Sequence, residues 1–230
     1  MCLLAAMKLL LAAATEAEIA PSIEYMSLAW RRAGDHTFSR EHKNVSVCVS
    51  GVGMMASAYH ITKAITGKHF DMAIQAGIGG AFDRSIRLGE TVFITSDRYG
   101  DLGAEDGETY IDIYDMGLAQ ADAFPFSDGS INTPPADFHD QIELRRVSSL
   151  SVNMVTGNER TVLRLGEKYS CQLESMEGAA FHYICLQEQI PFAQVRAVSN
   201  YIERRNRENW KINEAILSLN NWLVPFLDKF

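Results

Sequence analysis

Phe70-Asp71-Met72-Ala73-Ile74-Gln75-Ala76-Gly77-Ile78-Gly79-Gly80-Ala81 is the stretch on which the fold turns. An apolar run of strand character ends in three glycines within four positions. A parallel strand buried on both faces reads this way, and so does the turn at its carboxyl end. Open α/β sheets bind ligands outside the carboxyl ends of their strands. Glycines there let a ligand lie against bare backbone, because no Cβ intervenes. The stretch therefore predicts either the floor of a small-molecule site or a tight strand–loop turn that holds nothing.

Outward from it, strand and helix patterns alternate. Residues 8–13 read as a first buried strand. Thr15, with Glu18 three residues on, has the spacing of a capping box. The helix it opens is expected to reach about Arg32, with Pro21 in its first turn. Residues 35–43 suit a hairpin or edge strand. Residues 45–49 form a second apolar run ending in Ser50-Gly51-Val52-Gly53, and a helix should follow over 54–66. Further strands are expected over 70–76, 91–96, 146–153 and 192–199, with a short extended piece at 172–176. Helices are expected over 138–144, 159–169, 177–187 and 210–223. This alternation implies parallel crossovers and an α/β fold. Residues 97–137, rich in Gly, Asp and Pro, read as long irregular loops.

Composition excludes several function classes. The 230 residues suit one domain over residues 7–230, with 47% hydrophobic and 22% charged residues. A net charge of -8 argues against nucleic-acid and anionic-membrane partners. Past the N-terminus there is no apolar run of about twenty residues, so no membrane span is expected. Cys2, Cys48, Cys171 and Cys185 show no C-x-x-C spacing and no matching His cluster. No metal or other cofactor is expected, and core thiols suit a reducing, cytoplasmic setting. The apolar start can pass for a secretory signal, but its one positive charge, Lys8, lies inside the run. Met7 reads better as the start of strand one, with residues 1–6 as an extension.

Gly51-Val52-Gly53-Met54-Met55-Ala56 matches the dinucleotide-binding pattern G-x-G-x-x-A. Such a site needs an acid about twenty residues on, at the carboxyl end of the next strand. Asp71 has the distance but precedes its apolar run, so a close strand-to-helix turn is the better reading. There is no G-x-S-x-G elbow, phosphate loop or H-E-x-x-H motif. What remains is Glu18, Glu177 and Asn200 at strand ends, able to face one crevice with the glycine stretch. Each alone has a bland role, as a helix cap or a dipole partner. Their convergence on one sheet edge favours a site.

Ala14-Thr15-Glu16-Ala17-Glu18, Ser50-Gly51-Val52-Gly53, Gly77-Ile78-Gly79-Gly80, Ser175-Met176-Glu177 and Arg196-Ala197-Val198-Ser199-Asn200 follow one another in a telling order. In this the chain resembles the purine nucleoside phosphorylase and nucleosidase superfamily over nearly all of residues 7–230. Within it the chain looks most like the futalosine hydrolases, relatives of the methylthioadenosine/S-adenosylhomocysteine nucleosidases. The resemblance implies a three-layer α/β/α domain with a central mixed twisted sheet, and a homodimer or higher homo-oligomer acting on a small-molecule nucleoside. By position it implies that Glu18 activates the attacking water and that Met176 and Glu177 hold the ribose. Gly77, Ile78 and Gly79 would form a backbone wall beside ribose and water. Thr156, Gly157, Asn158 and Ser199 would lie along the purine, with Arg196 steadying the site. Asn200, the second catalytic position, falls where adenine-specific relatives carry Asp. An amide can donate to a 6-keto oxygen or N7 and does not titrate, which suits hypoxanthine better than adenine. Gly77 stands in place of a hydroxyl side chain and no Arg/Ser set flanks it, so water is the expected nucleophile rather than phosphate. The expected reaction is hydrolysis of futalosine to hypoxanthine and dehypoxanthine futalosine, in menaquinone biosynthesis. An adenine nucleosidase, a phosphorylase or a non-catalytic nucleoside-binding protein on the same fold are the alternatives. Arg98 is a candidate for the non-purine end of the substrate.

Overall fold

The computed structural model describes residues 6–230, so the extension proposed at residues 1–6 lies, Ala6 apart, outside the described residues. In chain order the elements are β1 (Met7–Ala13), α1 (Glu16–Ala29), β2 (Arg31–Gly34), β3 (Thr37–Arg40), β4 (Lys43–Val49), α2 (Met54–Ile65), β5 (Met72–Ala81), β6 (Thr91–Arg98), β7 (Gly103–Asp106), β8 (Thr109–Asp112), β9 (Ser130–Asn132), β10 (Arg145–Ser151), α3 (Glu159–Tyr169), β11 (Leu173–Ser175), α4 (Gly178–Gln187), β12 (Phe192–Tyr201) and α5 (Ile212–Lys229). Short 3₁₀ turns cover Asp137–Gln141 and Arg207–Asn209.

The main sheet runs β11-β10-β6-β12-β5-β1-β4-β3-β2. It is mixed. The β12–β5, β5–β1, β1–β4, β6–β10 and β10–β11 pairs are parallel. The β6–β12 and β5–β11 pairs are antiparallel. Strand β5 pairs with β1 only through Met72–Gln75, and its last residues pair with β11 instead. The pairings β5–β12–β6–β10–β11–β5 thus close a ring of five strands, and the carboxyl end of β5 peels away from β1. A crevice opens there.

Alternation along β1 shows how the layers form. Leu9 and Leu11 face a core with Ile19 and Met26 of α1 and Leu219, Leu223 and Phe226 of α5. Leu10 and Ala12 face Ile61 and Ile65 of α2 and Phe181 and Ile184 of α4. The result is the expected three-layer arrangement in a single domain. Among the described residues no helix is long and apolar enough to cross a membrane.

Three local expectations are corrected. Residues 97–137 are not wholly irregular: β7 and β8 form an antiparallel ribbon and β9 adds to β6. The ribbon is mostly solvent-facing, so no alternating apolar signal marks it. Helix α5 runs to Lys229 through Pro225, because Leu223, Phe226 and Leu227 remain on its buried face. Pro21 is the sixth residue of α1, not a first-turn residue. A proline there removes a backbone donor and crowds the preceding turn. Asn220 of α5 answers the disturbance. Its Oδ1 accepts from Ser22 N (3.1 Å) and Ser22 Oγ (2.6 Å), and its Nδ2 donates to Glu18 O (2.9 Å) and Ile216 O (2.7 Å). Glu18 C=O and Ser22 N–H are the pair that an unbroken helix joins, so a side-chain amide is inserted beside that ladder position.

Asn220→Ala should destabilise the protein by about 2 kcal/mol, because buried groups of α1 lose their partner. Urea denaturation checks this; an unchanged midpoint would show that α1 re-forms its own bond.

Candidate active site

A cavity of about 310 Å³ lies where β5 leaves β1, lined by Thr15, Glu18, Val52, Ile78, Gly79, Gly80, Val155, Glu174, Ser175, Met176, Glu177, Ser199, Asn200 and Trp210, among others. Glu18, Ile78, Gly79, Met176, Glu177, Ser199 and Asn200, all singled out from sequence, meet there. Gly77, Thr156, Gly157, Asn158 and Arg196 do not line it. Gly77 and Arg196 stand behind the wall. Asn158 caps α3 by accepting from Arg160 N (2.9 Å), Gly157 lies against Arg205 and Glu203, and the purine-side segment reaches the cavity through Val155. Arg98 is elsewhere, bonded to Asp128 O and Ser130 Oγ and stacked on Tyr169.

Glu18 is in the first turn of α1, on the loop that leaves β1. It is buried, and three donors fix its carboxylate: Thr15 N (2.8 Å) and Thr15 Oγ1 (3.0 Å) on Oε2, and Ile78 N (3.0 Å) on Oε1. The capping interaction legible in the sequence and the cavity wall are therefore one hydrogen-bond cluster. Glu177, at the N-terminus of α4, accepts from Gly53 N through Oε1 (3.0 Å) and lies 3.4 Å from Arg196 Nη2 through Oε2. Gly53 has φ +90°, a conformation that aims its N–H at the carboxylate and that side chains disfavour. The glycine turn that resembled a dinucleotide loop thus serves a carboxylate of the chain itself. Asp71 sits at the amino end of β5, accepting from Lys8 N (2.7 Å).

Arg196 is 1% exposed. Register sets it opposite Gly77, and Gln194 opposite Gln75. A Cβ at Gly77 would lie 2.4 Å from Arg196 Nη1 and 2.9 Å from Glu18 Oε1. Glycine is required there so that the guanidinium can fit behind the wall. Arg196 donates to Gln75 Oε1 (2.9 Å) and Ile78 O (3.3 Å). With its amide oriented to suit its neighbours, Gln194 accepts from Arg196 Nε (3.2 Å) and donates to His182 Nε2 (2.7 Å) and Asp97 Oδ2 (3.2 Å). His182 Nδ1 in turn donates to Ile131 O (2.9 Å).

In β12 the register shifts between Val198 and Asn200, a bulge that re-aims the strand end. The Ser199 hydroxyl lies 2.8 Å from Asn200 Oδ1 and 3.1 Å from Gly79 O. Asn200 Nδ2 donates one N–H to Tyr201 O (3.1 Å), and an amide nitrogen carries a second. Sequence reasoning missed Glu174, Gln194, Asp97 and Asn220. The sole sequence signal was for Glu174, an acid in an otherwise buried strand. Among the described residues no group of three or more His, Cys, Asp or Glu could hold a metal ion.

Burial raises the Asp97 carboxyl from 3.8 to about 6, against hydrogen bonds from Ser151 and Arg98. Burial likewise lowers His182 to about 4. The raised acid costs nothing below 3.8, where folded and unfolded chains are both protonated, and its full cost is reached above about 6. Asp97→Asn should therefore gain on the natural protein by roughly 3 kcal/mol between pH 4 and 7. Urea midpoints across that range test this; parallel pH curves for the two proteins would overturn it.

The family model of the phosphorylase superfamily matches residues 1–223. Futalosine hydrolase from Streptomyces coelicolor is 28% identical over 175 residues, covering 73% of this chain and 71% of the relative. Futalosine hydrolase from Thermus thermophilus is 26% identical over 173 residues, covering 74% and 75%. Among solved structures, the 5′-methylthioadenosine/S-adenosylhomocysteine nucleosidase of Helicobacter pylori superposes with a TM-score of 0.81 at 16% identity, covering 99% of this chain and 100% of that one. The last likeness concerns the fold alone. With its mixed sheet, and with a family model spanning nearly its whole length, the chain belongs to the phosphorylase superfamily.

Proposed function

We propose that this protein is a purine nucleosidase that hydrolyses the N-glycosidic bond of futalosine and releases hypoxanthine. The observation that carries the reading is the pairing of a fixed carboxylate, Glu18, with a neutral amide, Asn200, in one cavity. Similarity to two futalosine hydrolases supports the choice of substrate.

In the proposed reaction Met176 and Glu177 hold the ribose, and Ile78 and Gly79 pack beside it. Water attacks C1′ as the bond from C1′ to N9 breaks. Glu18 takes the proton of the water. The bonding pair leaves with the purine, where the Asn200 N–H stabilises the charge developing at N7 or O6. Glu18 suits the task because its donors, Thr15 and Ile78, hold it in place without covering it from the cavity.

Purified protein without phosphate should release hypoxanthine from futalosine and far less base from inosine or methylthioadenosine. A strict need for phosphate would overturn hydrolysis, and equal turnover of methylthioadenosine would overturn the substrate. Glu18→Gln should lower kcat by about 10²–10⁴-fold with little change in ligand binding. Unchanged kcat would remove Glu18 from the base role.

The protein further acts as a homodimer. Val52 lines the cavity, and Met55 and Met154, near lining residues in the chain, are 85% and 79% exposed, apolar surface suited to a second copy. Light scattering should give twice the 25.6 kDa chain mass, reduced towards one chain by Met55→Glu. A monomer at micromolar concentration would refute this.

A further inference from the structure

Glu174 is the one carboxylate lining the cavity that the proposed mechanism leaves idle. It is 4% exposed. Its Oε1 accepts from Thr156 N (3.0 Å), while its Oε2 is buried with no hydrogen-bond partner among the described residues. A buried carboxylate oxygen without a donor is costly, and such groups are rare unless a ligand completes them.

Its place in the sheet points to that ligand. Glu174 of β11 and Asn200 of β12 are both in register with Gly80 of β5, one on either side. Residues directly opposite one another in neighbouring strands share a face of the sheet. Two strand spacings separate the β11 and β12 backbones by roughly 10 Å. The residue between them has no side chain, so the two polar groups can converge on one planar object over Gly80. A Cβ at Gly80 would lie 3.1 Å from Asn200 Nδ2 and 2.9 Å from Ile202 Cγ1, which closes the floor of that gap.

Purine bases differ along the edge such a pair would touch. A 6-oxopurine presents a carbonyl oxygen at C6 and an N–H at N1; a 6-aminopurine presents the reverse, a donor at C6 and an acceptor at N1. Asn200 alone does not discriminate strongly, because its free N–H can be donated to N7, an acceptor in both kinds of base. An ionised carboxylate is acceptor-only. We infer that Glu174 is the specificity-determining residue of this cavity, its Oε2 accepting the N1–H of a 6-oxopurine while Asn200 donates to O6 or N7. The inference rests on the nucleosidase reading of the same site and assigns the base selectivity chiefly to Glu174. Burial raises the Glu174 pKa, with the Asp101 charge adding to it, so a donor arriving at Oε2 restores the charged form.

The test is equilibrium binding of free bases by calorimetry, which needs no turnover. Natural protein should bind hypoxanthine about 10²-fold more tightly than 1-methylhypoxanthine or adenine. In Glu174→Gln the Thr156 N–H keeps the amide oxygen, so the NH₂ faces the base and becomes a donor. The preference for hypoxanthine over adenine should then collapse or invert, with the thermal midpoint as a check on folding. Equal affinity for hypoxanthine and 1-methylhypoxanthine in natural protein would overturn the role of Glu174 without any variant. So would an unchanged hypoxanthine-to-adenine ratio in Glu174→Gln, while futalosine hydrolysis would still stand. Failure of every base to bind, together with no nucleoside turnover, would overturn both readings.

Discussion

A guanidinium sealed from water sets the terms for everything around it. Arg196 is 1% exposed, in the middle of a buried strand, and its charge must be met inside the protein. Glu177 supplies the countercharge at 3.4 Å, and Gln75, Ile78 O and Gln194 take up other N–H groups. Such pairs seldom add much net stability, because desolvation offsets the attraction, but removing one partner strands the other. Each neighbour is accordingly constrained. Residue 77 must lack a side chain. Residue 178 must as well, since a Cβ there would lie 2.1 Å from Asp97 Oδ2 and 2.3 Å from the end of the Gln194 amide. The ion pair joins the core of the sheet to the N-terminus of α4, and through Glu177 to the glycine turn before α2.

The carboxylates of the cavity share one design. Glu18 is bonded to the Ile78 amide, Glu177 to that of Gly53 and Glu174 to that of Thr156. A main-chain N–H is fixed by the backbone, so each carboxylate has one anchor that does not depend on a mobile side chain. Groups fixed before the substrate arrives need not reorganise as charge develops, and this is where most electrostatic stabilisation of a transition state originates. The closed ring of strands places two of these groups: β5 brings Ile78 beside α1, and β11 carries Glu174 against the other side of β5.

Features set by position along a buried strand could be read from the chain alone. Phe70 to Ala81 announced a buried strand with a bare carboxyl end, and Glu18, Glu177 and Asn200 were legible because each lies near the start or the end of an element. Asp71 could be set aside as a ribose ligand because it precedes its strand, and it does lie at the amino end of β5. The rest was hidden for physical reasons. Asn220 meets Ser22 across 198 positions, and no local pattern encodes that. Gln194 looks like an ordinary polar interruption of a β-run until the register sets it opposite Gln75. Size misleads as well. A larger hollow of about 810 Å³ lies at the opposite edge of the sheet, lined by Met7, Asp71, Phe192 and other residues near strand starts, and its wall is mainly apolar. The smaller cavity is where carboxylates and an amide converge.

An amide at Asn200, rather than a titratable acid, sets how the work of the proposed reaction is shared. An amide cannot deliver a proton to the departing purine, so the leaving group must be stabilised by hydrogen bonds alone. A 6-oxopurine tolerates this better than a 6-aminopurine, because its anion spreads charge onto O6, where a neutral N–H can meet it. The bulge at Ser199 then has a purpose beyond strand termination. Its hydroxyl lies by Asn200 Oδ1, and Tyr201 O takes one N–H, which leaves the other as a donor of fixed direction. A flexible amide in that position would offer either end to either base. Held at both ends, it offers a donor, and the chemistry at the purine becomes a matter of geometry rather than of proton transfer.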